Sequence, residues 1–439
     1  MTNAEQQYKK ESITLTSAVS MGTGVMIGAG IFALTGQIAE LAGPWFPLSF
    51  LAGAVVTGFS AYTYIKMASA YPSAGGIAMI LQRVYGSGAV AAAASLLMAL
   101  SMVINESLVA RTFGSYAIRP FGLQDDSWLV PVLAVGLIVV AFLVNISGNR
   151  SVGLLSLLMA LLKIGGIAIF AIAALWVGGF SFQSAQDTTS ETVITGFAAS
   201  IALSILAFKG FTTITNSGAE IVEPHRNVGR AIVISIGICV IVYLLVAFAV
   251  GSSLSLDEIV AARDYSLARA AEPTLGRYGF YLTVALALTA TASGLLASVF
   301  AVSRMLAMLT DIKMMPHSHF GMPGRVRDHT LVYTVVIAAF LAAFFDLGRI
   351  ASLGAFFYLV MDLLIHLGVY RSERQAIGAK AWVLLTAIVL DLIVLGFFTA
   401  LKLETDPLIV GIAAVFILAV FVLERLYLRQ WTGAQQEDQ

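Results

Sequence analysis

Several ionisable side chains stand inside apolar runs long enough to cross a bilayer: Glu106, Lys163, Lys209, Asp362, His366 and Asp391. An ion at that depth is costly, and by default it marks a pathway or a binding site. Lys163, in Leu161-Leu162-Lys163-Ile164-Gly165, is a buried ammonium that can give up its proton or, alternatively, a fixed charge that locks neighbouring helices together. Lys209 directly precedes Gly210. It can meet a negative group on a bound molecule, or it can pair internally with Glu106, which lies beside Asn105; buried charges are usually paired. Either reading argues against a bare polycation as ligand, and Asn105 is a candidate to face the same site. Asp362 and His366 are four residues apart and so share a helix face, which suits a proton relay or a structural hydrogen bond.

The second chemical signal is backbone. Val19 to Leu34 carries Gly22, Gly24, Gly28 and Gly30 within one apolar run, and glycine holds a helix poorly. Irregular backbone survives in a membrane only when buried in protein or lining a cavity. A helix broken around Gly28-Ala29-Gly30 would offer the amides of Ala29, Gly30 and Ile31 to a carboxylate, as helix N-termini do for anions. Leu206-Ala207-Phe208-Lys209-Gly210-Phe211-Thr212 is a second interruption. The carbonyls of Met26 and Ile27, together with those of Ala207 and Phe208, would receive an ammonium. Phe211 would either close over the guest or pack in the core. The competing reading of the glycines is close helix packing, as small residues allow in membranes.

These residues need a membrane scaffold. Of 439 residues, 59% are hydrophobic and 11% charged, with a mean hydropathy of +0.90; a soluble chain carries about twice that charged share. At about twenty residues per span, twelve spans are expected near 15–40, 46–70, 88–117, 128–147, 152–178, 193–222, 228–250, 276–309, 331–346, 350–370, 381–401 and 407–428. The stretch 252–273 reads as a short amphipathic helix lying on the outer surface. Most of the 25 Lys and Arg fall in loops on the side of the two termini, so both termini are expected in the cytoplasm and the chain in the plasma (inner) membrane. His225, His317, His319 and His329 are expected in cytoplasmic loops. Interrupted spans one and six are five helices apart, which points to an inverted repeat with its site at the midplane. The corresponding divisions are a tail at 1–14, a first repeat at 15–178, a second at 193–370, two further helices at 381–428 and a tail at 429–439. Cys239 is the single cysteine and makes neither a disulfide nor a metal site. Zero formal net charge gives no sign of a nucleic-acid partner. There is no H-E-x-x-H, G-x-S-x-G or G-x-x-x-x-G-K-[ST] motif, so an enzyme is not expected, nor is a cofactor or metal.

Gly22-Thr-Gly24-Val-Met-Ile27-Gly28-Ala-Gly30-Ile31-Phe32 resembles the first-span signature of the amino acid–polyamine–organocation (APC) superfamily of transporters. Pro72-Ser73-Ala74-Gly75-Gly76, Asn145 to Gly148, Phe208-Lys209-Gly210-Phe211 with Glu220, Pro224, Arg226 and Asn227, and Ser303-Arg304 with Pro316 extend the resemblance over nearly the whole chain. It implies an all-α LeuT-type fold: a 5+5 inverted repeat with discontinuous helices 1 and 6, plus two C-terminal helices. It also implies secondary transport of amino acids or similar small zwitterions by alternating access, either with protons or by exchange; a non-transporting sensor is the other class to weigh. In some proton-coupled members a fifth-span lysine places its ammonium where sodium-coupled relatives bind an ion. Lys163 is at that position, with the carbonyls of Gly24 and Ile27 and the hydroxyls of Thr289, Thr291 and Ser293 as expected neighbours. Thr212, Lys209 and Leu206 depart from the residues commonest in the family, which leaves the cargo open.

Overall fold

Long apolar segments with satisfied backbones have to be helical in lipid, and helices are what the computed structural model contains. It describes residues 12–73, 75–86, 88–124, 127–146, 152–178, 193–311 and 326–437; for 152–162, 326–328, 427–437 and a few single positions, Ala29 and Arg304 among them, only the backbone is described. The expected tail before Ser12 and the His317 and His319 positions lie outside the described residues.

The helices are α1 (Leu15–Val25), α2 (Phe32–Ala42), α3 (Phe46–Ala70), α4 (Gly76–Tyr85), α5 (Ala89–Ile118), α6 (Leu129–Ile146), α7 (Val152–Gly178) and α8 (Val193–Phe208). They continue with α9 (Thr212–Asn216), α10 (Pro224–Ser253), α11 (Leu256–Ala261), α12 (Ser266–Asp311), α13 (Val326–Phe344), α14 (Leu347–Gly368), α15 (Ala381–Thr405) and α16 (Pro407–Glu437). Among the described residues nine stretches are long and apolar enough to cross a membrane, and Leu15–Gly28, Lys163–Val177 and His329–Phe344 are shorter apolar helices. The protein is therefore an all-helical, multi-pass membrane protein. Val139, Val140, Leu143, Leu392, Leu418 and Leu423 are large, apolar and exposed, which suits side chains that face lipid.

Two features were not expected from the sequence. Residues 76–85, read as the approach to the third span, form the separate short helix α4, whose first turn is fixed where the Ile77 amide donates to Asn216 Oδ1 (3.2 Å). The His329 side chain is not in a loop but buried on α13. The stretch 252–273, expected as one short surface helix, holds two: α11, opened by a capping box in which Ser255 and Glu258 serve each other's amides, and the start of α12, where Leu267, Ala268, Ala270 and Ala271 are buried. α12 turns sharply at Gly276 (φ 64°) before its long run, so the eighth span starts where the apolar pattern placed it.

α5 is the central post of the bundle and packs against α6, α12, α13, α14 and α16. α10 lies along α1, α3 and α7, and α8 along α2, α3 and α15. At one end, Ser12 and Ile13 donate their amides to the Glu220 carbonyl (2.8 Å each) and Val222 donates to the Ile13 carbonyl (2.9 Å). This isolated parallel bridge ties the start of α1 to the segment after α9.

Candidate functional site

The first glycine-rich break is real but wound. α1 ends at Val25, Met26–Ile31 form a π turn, and α2 begins at Phe32. Met26 (φ −61°, ψ −51°) and Ile31 (φ −81°, ψ −43°) both keep right-handed helical dihedrals. The expected set of free amides at Ala29, Gly30 and Ile31 is corrected accordingly. A π turn bonds amides to carbonyls five residues earlier, so it widens the helix without leaving a gap. In an apolar interior this is the cheaper way to break α-helical pairing, because an open gap would strand polar groups.

The second break has the opposite sense. α8 tightens into a 3₁₀ turn at Lys209–Phe211 and relaxes into α9. Two threonines complete it: Thr212 Oγ1 donates to the Lys209 carbonyl (2.9 Å) and Thr213 Oγ1 to the Gly210 carbonyl (2.7 Å).

The two turns touch. A Cβ on Gly30 would stand 2.4 Å from Tyr243 Oη and 2.7 Å from the Ala207 carbonyl oxygen; one on Gly210 would stand 2.6 Å from Met26 Cγ and 2.7 Å from the Met26 nitrogen. Each glycine thus makes room for the other turn's backbone. Gly24 meets nothing within 4 Å. Tyr243 of α10 joins the pair, its hydroxyl 2.6 Å from the Met26 carbonyl and 2.9 Å from that of Ala207. With one proton it donates to one of them at a time. These are two of the carbonyls expected to receive an ammonium, so in this conformation a protein hydroxyl occupies that place. No feature of a tyrosine in an apolar run marked it beforehand.

Beside the contact lies a cavity of about 20 Å³, room for a water molecule and well below the roughly 300 Å³ of a ligand pocket. A space of that size holds no amino acid in this conformation. Gly30, Asn105, Ala207, Lys209 and Gly210, all singled out from the sequence, line it. Met26, Ile27, Gly28, Phe208 and Phe211 do not. Phe208 packs on Tyr243 (centroids 4.8 Å apart) and Phe211 edge-on to Tyr64 (5.3 Å), so Phe211 takes the core-packing alternative. Val25, Met102, Leu206, Thr212, Thr213 and Ser298 complete the lining and were not anticipated as site residues.

The Lys209–Glu106 pair does not form as a direct contact. Lys209 Nζ donates to Ser101 Oγ (2.5 Å) and stands 5.5 Å from the Tyr358 ring centroid. Glu106 Oε1 instead accepts from Ser298 Oγ (3.2 Å). Serines on α5 and α12 separate the two charges by satisfying one each. Lys163, 4% exposed, donates to the Ala290 carbonyl of α12 (3.2 Å), which Ser293 Oγ also reaches at 3.2 Å. Of the expected partners, Ser293 is at this node. Thr289 and Thr291 donate to Ala285 and Ala287 of their own helix (2.8 and 2.7 Å), as mid-helix threonines commonly do. Gly24 and Ile27 make no hydrogen bond with the ammonium; Gly28 is the first-turn residue that reaches the node, a Cβ there lying 3.3 Å from the Ala290 oxygen.

Two interrupted helices crossing beside a small cavity whose wall carries Asn105, Lys209 and the hydroxyls of Thr212, Thr213 and Ser298 suit a transporter, and comparison with known proteins decides it. The family model described as amino acid permease matches residues 13–423. The chain belongs to that family, within the APC superfamily. The permease is 30% identical over 427 residues to the inner membrane transport protein YbaT of Escherichia coli, covering 96% of this chain and 98% of the relative. It is 25% identical over 401 residues to the branched-chain amino acid permease BcaP of Lactococcus lactis (85% and 84% covered). With the serine/threonine exchanger SteT of Bacillus subtilis it shares 23% over 389 residues (86% and 87%). This permease is thus a membrane transporter and not an enzyme.

Proposed function

We propose that this permease carries an amino acid, or a closely related small zwitterion, across the plasma (inner) membrane by alternating access in symport with protons. The observation that carries the reading is the crossing of the π turn at Met26–Ile31 and the 3₁₀ turn at Lys209–Phe211 beside a small cavity with Asn105 and Lys209 in its wall. Both turns are main-chain irregularities, and both are held shut by a hydroxyl, that of Tyr243, which a substrate ammonium can replace at the Met26 and Ala207 carbonyls. As the two turns part, the Ile27 and Phe208 carbonyls come within reach of the guest, with Asn105 and Lys209 on the cavity wall setting selectivity. Relatives named for branched-chain amino acids and for serine and threonine support a neutral amino acid as cargo.

In this reading the chain is a 5+5 inverted repeat of the LeuT type, residues 15–178 against 193–370, with 381–428 outside it and both termini in the cytoplasm. The spans of the first, second, sixth and seventh positions rock against the third, fourth, eighth and ninth. Lys163 supplies the proton coupling: its ammonium holds α7 to the Ala290 carbonyl, against which Gly28 of the first turn is packed. Loss of the proton would free that contact and loosen the π turn. Exchange without protons is the second reading, favoured by the exchanger among the relatives.

The test uses purified permease in proteoliposomes. A melting screen against amino acids, dicarboxylates and amines names the cargo class, because a ligand that prefers the folded state raises its stability. With that cargo, a pH gradient alone should drive accumulation in the wild type and not in Lys163→Ala, while counterflow persists in the variant. Full accumulation in Lys163→Ala removes the lysine from coupling. Absence of any amino acid that binds or moves refutes the transport reading itself.

A further inference from the structure

Away from the cavity, α3, α14 and α15 meet around three ionisable side chains with no exposure: Asp362, His366 and Asp391. His366 Nε2 lies 3.4 Å from Asp362 Oδ2 and 3.5 Å from Asp391 Oδ2. Asp362 is well served as a carboxylate, because Ser60 Oγ (2.6 Å) and Tyr64 Oη (2.5 Å) of α3 both donate to it. Asp391 is not: neither of its oxygens has a hydrogen-bond partner, and the buried Tyr358 hydroxyl on α14 has none either.

Charge makes the asymmetry decisive. With His366 protonated and both carboxylates ionised, the cluster still carries one uncompensated negative charge in a closed interior. The groups facing it are Ser60 and Tyr64 from α3 and Tyr358 from α14. Lys209, from the turn after α8, stands over the Tyr358 ring at 5.5 Å and spends its ammonium on Ser101. None of these brings a cation to Asp391. An unpaired buried carboxylate is strongly disfavoured, and a proton both removes the charge and turns the group into a donor for a neighbouring acceptor.

We propose that Asp362, His366 and Asp391 form a proton-binding site, separate from Lys163, in which Asp391 takes up and releases one proton while Asp362 stays ionised. The step is a simple protonation: a solvent proton bonds to one Asp391 oxygen on loading and returns to solvent on release. The site stands whatever the cavity carries, but it is wired to it. The Tyr64 ring lies edge-on both to His366 (6.3 Å) and to Phe211 (5.3 Å), and the Tyr358 ring, four residues before Asp362 on α14, stands 5.5 Å from Lys209 Nζ. Phe211 and Lys209 are the two ends of the 3₁₀ turn. Loading Asp391 therefore bears on the second irregular turn through two tyrosines.

The experiment is infrared difference spectroscopy on the full chain in lipid nanodiscs, stepped from about pH 5 to pH 9, with aspartate selectively ¹³C-labelled so that Glu106 and Glu424 do not contribute, and with Asp264→Asn in every sample, the wild type of this comparison included, so that the other buried aspartate does not either. A protonated-carboxyl band that shifts with the label, fades as pH rises, and is missing from Asp391→Asn is the expected result. His366→Gln keeps both carboxyl groups and should move the fading by about one pH unit or more. The proposal is overturned if the labelled wild type shows no such band, if the band persists unchanged in Asp391→Asn, or if one tightly bound metal ion per chain accounts for the cluster. The wild-type spectrum alone decides the first point should a variant fail to fold. No transport is measured, so failure here leaves the cargo reading untouched and the reverse also holds.

Discussion

Gly30→Ala is the substitution that most directly probes the crossing of the two turns. A methyl group there would lie 2.4 Å from Tyr243 Oη, 2.7 Å from the Ala207 carbonyl oxygen and 3.0 Å from Ala207 Cα. Two of those three atoms belong to the backbone, so no side-chain rotation relieves the clash; the turns must separate by about 1 Å to restore ordinary contact. Overpacking of this kind costs about 1–3 kcal/mol, roughly a five- to hundredfold bias against the closed pairing. Gly24→Ala is the control. It sits in the same motif with nothing within 4 Å, and replacing a helical glycine there should be neutral or stabilise by up to about 1 kcal/mol. Melting of each variant in nanodiscs and the initial uptake rate in proteoliposomes are the readouts. Gly30→Ala should melt lower and transport more slowly, with Gly24→Ala at or above wild type in melting. Equal behaviour of the two variants would refute the claim that the motif works by bringing the Met26–Ile31 turn against Ala207.

Tyr243→Phe keeps the ring against Phe208 but removes the donor shared by the Met26 and Ala207 carbonyls; a loss of about 1 kcal/mol is expected, and unchanged melting would contradict it. For Lys209, a double-mutant cycle of Ser101→Ala with Lys209→Met should show a coupling of about 1–3 kcal/mol, larger than that of Glu106→Gln with Lys209→Met; the reverse order would restore the direct ion pair that the geometry lacks. Asp264, in the loop before α12, is half-buried and accepts from Gln37 Nε2 (2.6 Å); burial pushes its carboxyl up despite the nearby Arg263 and Arg119 guanidinium groups. The folded chain then holds that proton to higher pH than the unfolded chain, so stability falls as pH rises from the ordinary carboxylate range through the raised value. Asp264→Asn should relieve the loss at neutral pH and make no difference in acid, and a pH-independent change in melting would refute this account.

Much of the scaffold was legible because lipid permits so few structures: apolar runs of bilayer length become helices, and the interruptions lay where glycines crowd in the first span and at Gly210 in the sixth. How each break is wound was not legible. Gly28-Ala-Gly30 is compatible with an open gap or a π turn, and only the neighbouring backbone of Ala207 selects the tighter form. Partners of the buried lysines were likewise hidden. Ser101 and Ser298 draw Lys209 and Glu106 apart, yet serines are frequent throughout such helices and carry no pattern. Lys163 was expected beside the Gly24 and Ile27 carbonyls and the hydroxyls of Thr289, Thr291 and Ser293; it found the carbonyl of Ala290, which Ser293 shares, while Thr289 and Thr291 were already occupied on their own helix. Tyr243 and Tyr358 could not be told from lipid-facing aromatics, because α10 and α14 show no periodicity strong enough to assign their faces.

The short pairing of Ser12 and Ile13 with residues 220–222 has a mechanical consequence. Three main-chain hydrogen bonds fasten the leading edge of α1 to the chain just beyond α9, so α1 and α9 are coupled as one lever. Any displacement between them has its pivot at the two crossed turns, where Gly30 and Gly210 sit, and not at the tethered end. A crosslink placed across Ile13 and Ile221 would on this account leave the working stroke intact, whereas the same staple across the turns would freeze it.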